Sequence, residues 1–318
     1  PSHSGARARR GAEKAMTRHF LTVSDLSRDE LFGVLDRAAE LKALRGTPEH
    51  PKPLSGKSIA VVLEKASTRT RLSFEVGIHE LGAQPVTLVS KDTQLGRGEP
   101  IEDTARMLSR YVHCAVYRTF GHERLEALAE HATIPVVNGL SDQFHPVQLL
   151  ADMMTIRESH GPDLSKVRVA WVGDGNNMAH SWIVSSAVAG FELVLACPDG
   201  YRPDEQVLSY AHDHRAKVTV VSRLEEALEN ADVVTTDVWA SMGQEAEAAE
   251  RERAFAGYIV DDAAMNRAAS DAIFLHCLPA HRGEEVSASV IDGSRSRVWD
   301  EAENRLHTQK ALLEWLLT

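Results

Sequence analysis

The chain has 318 residues, 43% of them hydrophobic and 25% charged. That is room for two ordinary domains or one large one, and it excludes a small disulfide-stapled scaffold, a fibrous repeat or wholesale disorder. The formal net charge is −11, so non-specific binding to a nucleic acid or an anionic membrane is disfavoured, and any anionic ligand needs a local basic site.

Residues 1–15 are rich in Arg, Ala and Gly without a long apolar core. They read as an extension or a cloning remnant ahead of Met16, with an Arg-rich organellar targeting remnant as the alternative, and are set aside from the fold. From Met16 short apolar strands alternate with amphipathic helices. Ser27 and Glu30 have capping-box spacing, and Leu31, Val34, Leu35, Ala38 and Leu41 recur at helical spacing until Gly46. Strands are expected over 59–63, 86–89, 115–117 and 134–137, with helices over 67–81, 101–110 and 124–131. Such a series predicts a mostly parallel sheet.

Pro146 opens a further helix to about Glu158, and Gly161-Pro162 then breaks the chain. A second series follows, with strands expected over 167–172, 193–196, 218–221, 233–236 and 273–275. Helices are expected over 177–189, after Pro203, and over 301–317, where Leu306, Lys310, Leu313 and Leu317 suggest a face packing back on the protein. The fold class read from this pattern is α/β with two parallel-sheet domains. The first covers 16–150, joined by the returning C-terminal helix at about 300–318, and the second, Rossmann-like, covers 151–299.

Apolar stretches such as 59–63 and 183–189 fall far short of the roughly 20 residues of a membrane span. Cys114, Cys197 and Cys277 are odd in number and show no metal-ligand pairing, which indicates a reducing, cytoplasmic compartment.

The basic site demanded by the charge balance follows the first strand as Ser67-Thr68-Arg69-Thr70-Arg71. A helix opening here would aim free N–H groups and the positive dipole end at one point, suited to a phosphate. Ser67, Thr68 and Thr70 would add hydroxyl donors and Arg69 a charge-assisted contact, whereas Arg71 cannot share its face. The pentapeptide alone is equally compatible with an ordinary N-cap and surface arginines.

That pentapeptide resembles the carbamoyl-phosphate signature of the aspartate/ornithine carbamoyltransferase family, and further strings follow in the family's order. They are Thr93-Gln94-Leu95-Gly96, Arg118-Thr119-Phe120-Gly121, His145-Pro146-Val147-Gln148, Asp174-Gly175-Asn176-Asn177, Asp237 with Ser241-Met242-Gly243, His276-Cys277-Leu278-Pro279 and Glu303-Asn304-Arg305. The Ser-Met-Gly and His-Cys-Leu-Pro strings resemble the ornithine branch. Leu63 and Ala66 depart from the pattern but only flank the ligand groups.

The resemblance implies transfer of a carbamoyl group from carbamoyl phosphate to the side-chain amine of ornithine, with an active site between the domains. Ser67, Thr68, Arg69, Thr70, Gln94, Arg118 and Arg305 would hold carbamoyl phosphate. His145 and Arg118 would polarise its carbonyl, and Gln148 would bind its nitrogen. Asn177, Asp237, Ser241 and Met242 would hold ornithine, with Cys277 and the Leu278 carbonyl near the reacting amine. Gln94 would reach into a neighbouring subunit, implying a homotrimer or a multiple of trimers. No cofactor or metal is expected, and no nucleic-acid or membrane partner.

Other readings can be set beside this one. Gly173-Asp174-Gly175 mimics the start of a dinucleotide fingerprint, but Met178 occupies the third glycine position, which weakens a nucleotide-dependent oxidoreductase. A non-catalytic module on a transferase scaffold would not need phosphate, carbonyl and amine groups together. Within the family, putrescine or an acylated ornithine is the alternative acceptor. His145 alone would read as a structural histidine and Asp237 alone as a solvated loop carboxylate. Cys277 is not read as a nucleophile, because carbamoyl phosphate is already activated.

Overall fold

The computed structural model describes residues 17–89, 98–240 and 247–318. Helix α1 (Arg28–Ala43) starts where the sequence places it: Glu30 N donates to Ser27 Oγ at 3.2 Å and Ser27 N to Glu30 Oε2 at 2.9 Å, and its five periodic apolar residues are buried.

The first series comprises β1 (Ser58–Leu63), α2 (Thr68–Glu80), β2 (Gln84–Val89), α3 (Ile101–Tyr111), β3 (Cys114–Arg118), α4 (His122–His131) and β4 (Val136–Leu140). Its strands lie in the order β2-β1-β3-β4, every pair parallel. Strand β4 runs further than the expected 134–137. Asn138-Gly139 has turn composition, but the Asn138 amide nitrogen donates to the Leu21 carbonyl at 2.9 Å, which lets the segment stay buried and extended.

Helix α5 (Pro146–His160) carries the chain across, buried from Pro146 to Ile156. The second series is β5 (Arg168–Val172), α6 (Asn177–Ala189), β6 (Glu192–Ala196), α7 (Glu205–Asp213), β7 (Val218–Val221), α8 (Leu224–Leu228) and β8 (Val233–Thr236). It continues through α9 (Ala248–Ala254), α10 (Asp262–Met265), β9 (Ile273–His276), α11 (Ala288–Ile291) and α12 (Val298–Leu317). These strands form a second all-parallel sheet, β7-β6-β5-β8-β9. Helices α8 to α11 were not anticipated. At four to seven residues each, they are too short for an apolar period to register.

Alternation along the strands assigns the cores. Ile59, Val61 and Leu63 of β1 face a cluster that also holds Leu149, Met153, Trp171, Trp182 and Leu312, so one apolar body joins the two sheets. Ala60 and Val62 face a separate outer cluster with Leu108 and Tyr117, and Val172, Val234 and Phe274 face a third. Helix α12 begins at Val298, ahead of the expected Glu301, and packs back as the sequence suggests. Arg37 forks onto Glu314 with both contacts at 3.0 Å, and buried Lys310 donates to Glu80 at 2.7 Å. Among the described residues no helix is long and apolar enough to cross a membrane.

Both sheets are doubly wound, and each has a point where strand order reverses: between β1 and β3, and between β5 and β8. Crevices outside the carboxyl ends of strands at such points are where open α/β sheets bind ligands.

Candidate active site

The register puts the basic residues side by side. Leu63 at the end of β1 pairs with Arg118 at the end of β3. Beyond Leu63 the chain turns through Ser67, whose hydroxyl caps α2 by accepting from Thr70 N at 3.2 Å. The cap reading and the anion-site reading therefore coexist, because capping consumes one of the helix's free donors and leaves others.

Thr68 and Arg69 are exposed at this helix start, and Thr70 is buried. Arg71 points away and pairs with Glu75 at 3.0 Å, as the two-residue offset from Arg69 requires. The Thr70 hydroxyl accepts from Arg118 Nη1 at 3.2 Å and from Arg305 Nη2 at 3.3 Å. Two guanidiniums from distant parts of the chain thus converge on one hydroxyl, both buried, at 7% and 4% exposure. Burial, together with Arg69, lowers the Arg118 pKa to about 10, and burial together with Arg118 lowers that of Arg305 to about 10. Arg118 Nε is buried without a partner.

His145 is the N-cap of α5, with Pro146 in the first turn, and its backbone N donates to Ser181 Oγ at 2.7 Å. Its imidazole is driven well below its usual pKa by burial and by Arg305 and Arg118, so it is neutral, and Nδ1 has no partner. Gln148, one turn on, accepts from Arg305 Nη1 at 2.8 Å through its amide oxygen. Its nitrogen donates at 2.8 Å to Asp152 and at 2.8 Å to Glu301.

The opposite side is built at the ends of β5, β8 and β9. Thr236 pairs with both Val172 and His276, so Asp237 and Cys277 emerge next to each other. Cys277 Sγ donates to Asp237 Oδ1 at 3.2 Å, and Asp237 Oδ2 accepts from Asn176 Nδ2 at 2.9 Å. Asn177 begins α6, but its amide nitrogen donates to the Ser141 carbonyl at 2.9 Å, across to the first half of the chain. Burial and Asp237 push the Cys277 thiol well above its ordinary pKa, which disfavours the thiolate a nucleophile would need. Leu278 sits at φ 60, unusual for a branched residue, with its N–H held by His276 Nδ1 at 2.8 Å.

Asp237, His276 and Cys277 offer atoms within 4.8 Å of one another, a spacing that could suit a metal ion. The donors are committed, however. His276 Nδ1 accepts from Leu278 N, which leaves its proton on Nε2 to donate to Glu285 at 3.0 Å, and the Cys277 thiol is engaged with Asp237.

The two sides meet, since Cys277 lies close enough to act electrostatically on both Arg118 and Arg305. The structure thus brings together Ser67, Thr68, Arg69, Thr70, Arg118, His145, Gln148, Arg305, Asp237, Cys277 and Leu278. Asn177 borders them. Gln94, Ser241 and Met242 lie outside the described residues. Asn176, Asp152 and Glu301 were missed. The first was hidden behind its neighbour in an Asn-Asn pair. Asp152 did carry a signal: a carboxylate four residues after Gln148 on an otherwise buried helix.

Two doubly wound sheets, with the basic residues at the strand ends of one and the Asp237–Cys277 pair at the strand ends of the other, define a two-sheet α/β protein whose chemistry-bearing residues meet between the sheets. The chain belongs to the aspartate/ornithine carbamoyltransferase family: the family's carbamoyl-P binding domain matches residues 18–158 and its Asp/Orn binding domain residues 165–316. Similar curated proteins named ornithine carbamoyltransferase include that of Acidothermus cellulolyticus, 57% identical over 95% of this chain and 97% of the relative. That of Halorhodospira halophila is 54% identical over 94% of this chain and 99% of the relative. Among solved structures, the ornithine carbamoyltransferase of Pyrococcus furiosus superposes with a TM-score of 0.88 at 47% identity, covering 93% of this chain and 96% of that one. The Burkholderia thailandensis enzyme gives 0.86 at 47% identity, covering 94% and 98%.

Proposed function

We propose that the protein transfers the carbamoyl group of carbamoyl phosphate to the side-chain amine of L-ornithine, giving L-citrulline and phosphate by direct attack. The observation that carries this reading is the pair of buried guanidiniums of Arg118 and Arg305 converging on the Thr70 hydroxyl, close to the Asp237–Cys277 pair. An anionic donor belongs at the first and a cationic acceptor at the second.

The phosphate binds Ser67, Thr68, Arg69 and Thr70 at the start of α2, with Arg118 and Arg305 beside it. His145, neutral at pH 7, and Arg118 donate to the carbonyl oxygen as negative charge builds there. The Gln148 amide oxygen accepts from the carbamoyl NH₂. Asp237 takes the α-ammonium of ornithine, Asn177 its carboxylate with the helix end behind it, and Ser241 and Met242 close the site. The side-chain ammonium, with an ordinary pKa of about 10.4, must first lose a proton. Its nitrogen then attacks the carbonyl carbon, the bond to the phosphate oxygen breaks, and a second proton leaves the nitrogen. One proton goes to phosphate and the other to solvent. Cys277 and the Leu278 carbonyl orient the amine.

Residues 16–150 with α12 form the carbamoyl-phosphate unit and 151–299 the ornithine unit. The placement of Arg305 beside Thr70 supports counting α12 with the first. The active form is a homotrimer or a multiple of it, with Gln94 crossing between subunits. Exposed Leu72 and Val76 on α2 and Val86 on edge strand β2 supply apolar surface on the first half of the chain for such an assembly. A cytoplasmic location and a role in arginine biosynthesis fit the three free cysteines and the citrulline product.

The test is citrulline formation by purified protein given carbamoyl phosphate and ornithine, with putrescine and N-acetylornithine as competing acceptors. Citrulline is expected as the preferred product. Faster turnover of either competitor, or no carbamoylated product from folded protein, overturns the reading.

A further inference from the structure

Gln148 is held from behind by two carboxyl groups whose purpose the transfer chemistry leaves open. Gln148, Asp152 and Glu301 are each 1% exposed. One amide nitrogen donates to both, and the amide oxygen is thereby turned toward Arg305 and the cleft. Glu301 does more, since its second oxygen accepts from the backbone N of His276 at 2.8 Å. A single side chain on α12 therefore fixes both the Gln148 amide and the start of the His276-Cys277-Leu278 segment on the opposite side.

Two carboxyl groups buried in contact with one donor cannot both be charged without a large penalty. Burial raises both, Asp152 raises Glu301 further, and the hydrogen bond between the two carboxyl groups marks a proton shared by the pair. The charged or titratable groups facing them are the Arg305 guanidinium on α12 and the Cys277 thiol after β9. Hydrogen-bond inventory decides where the proton sits. Both Glu301 oxygens already accept, from Gln148 and from the His276 backbone, so a proton on Glu301 would weaken one of these two acceptors. Among the described residues Asp152 accepts only from Gln148, and its second oxygen is free to carry the proton toward Glu301.

We propose that Asp152 and Glu301 are positioning residues forming a proton-sharing pair, Asp152 protonated and Glu301 ionised, that locks the Gln148 amide with its oxygen toward the carbamoyl group and ties that orientation to the Cys277 segment. This rests on the assignment of Gln148 to the carbamoyl nitrogen. Asp152→Asn reproduces a neutral group with one acceptor and one donor, whereas Glu301→Gln can present an acceptor to Gln148 or to His276 but not to both.

The experiment compares the full-length variants Asp152→Asn, Glu301→Gln and Gln148→Ala in citrulline formation. Asp152→Asn is expected to keep kcat within about threefold of wild type, and Glu301→Gln to lose kcat on the order of a hundredfold with a smaller change in KM for carbamoyl phosphate. Equal losses in the two variants, or losses that merely follow lowered thermal midpoints, overturn the proposal. If Glu301→Gln does not fold, infrared difference spectra decide: a protonated-carboxyl stretch present in wild type and absent in Asp152→Asn supports it, and its persistence in Asp152→Asn overturns it. Gln148→Ala separates the two readings. Undiminished binding of carbamoyl phosphate there removes the role of Gln148, while the carboxyl-proton signal reports on the pair independently.

Discussion

The energetic signature of this site is the crowding of Arg118 and Arg305. Each has a pKa lowered from the usual guanidinium range to about 10. A basic group whose folded pKa is depressed costs the fold stability while it is charged. That cost is constant across neutral pH and fades only as pH rises past about 10, where the folded-state guanidinium begins to lose its proton. At pH 7, then, relief has to come from an anion. Binding to the folded state at a hundred times Kd stabilises it by about 2.7 kcal/mol, several degrees in thermal midpoint for a chain of this size. Inorganic phosphate or carbamoyl phosphate should therefore raise the wild-type midpoint, and Arg305→Gln should lose most of that rise. Thermal unfolding with and without ligand reads this directly. A variant stabilised as fully as wild type would separate Arg305 from the anion site. Arg305 could be named from its string in the sequence, but its partners could not, because 235 residues separate it from the Thr70 hydroxyl it meets.

At the scale of elements, the loop between β5 and α6 shows why part of the site was legible and part was not. The sequence places a helix start at Asn177, and α6 begins there, capped by Asn176 Oδ1 accepting from Met178 N at 2.9 Å. What sequence could not give is the reason for Gly175. A Cβ at this position would lie 2.2 Å from Pro203 N and 2.3 Å from the Arg202 carbonyl carbon, both backbone atoms that cannot swing aside. The glycine admits a neighbouring chain, so the likeness to a dinucleotide fingerprint is only local. The missed extent of β4 has a similar cause: the expected strand stops at 137, where the polar Asn138 begins, and only the side-chain bond from Asn138 to the Leu21 carbonyl shows how that residue stays buried in the strand. Gly175→Ala should push the α6 start, and Asn176 with it, away from Asp237. KM for ornithine is expected to rise at least about tenfold, with KM for carbamoyl phosphate changed less than about twofold. Steady-state kinetics with each substrate varied in turn would show this, and equal increases would mean that the loop does not act through the acceptor side.

For the whole molecule, an acidic chain has gathered two buried guanidiniums where two sheets meet, and the halves are welded there by a common apolar cluster and by α12. That construction leaves the outer surface of the first half to be explained. Leu72 is 55% exposed and Val76 38%, one turn apart on α2, and Val86 at 39% lies on the edge strand β2. A stripe of this kind on an otherwise charged surface is suited to burial against another copy of the chain. Closed assembly would also shield the open edge of β2. Wild-type protein is therefore expected to show three times the chain mass, or a multiple of it, by light scattering. Leu72→Asp combined with Val76→Asp should shift that toward the single-chain mass. Because the fold of each chain is held by its internal cores, the double variant should keep its far-ultraviolet circular dichroism while citrulline formation falls on the order of tenfold or more, as the proposed sharing of Gln94 between subunits requires. A monomeric wild type would remove the oligomer from the proposed function, and a double variant that stays assembled would move the interface away from α2.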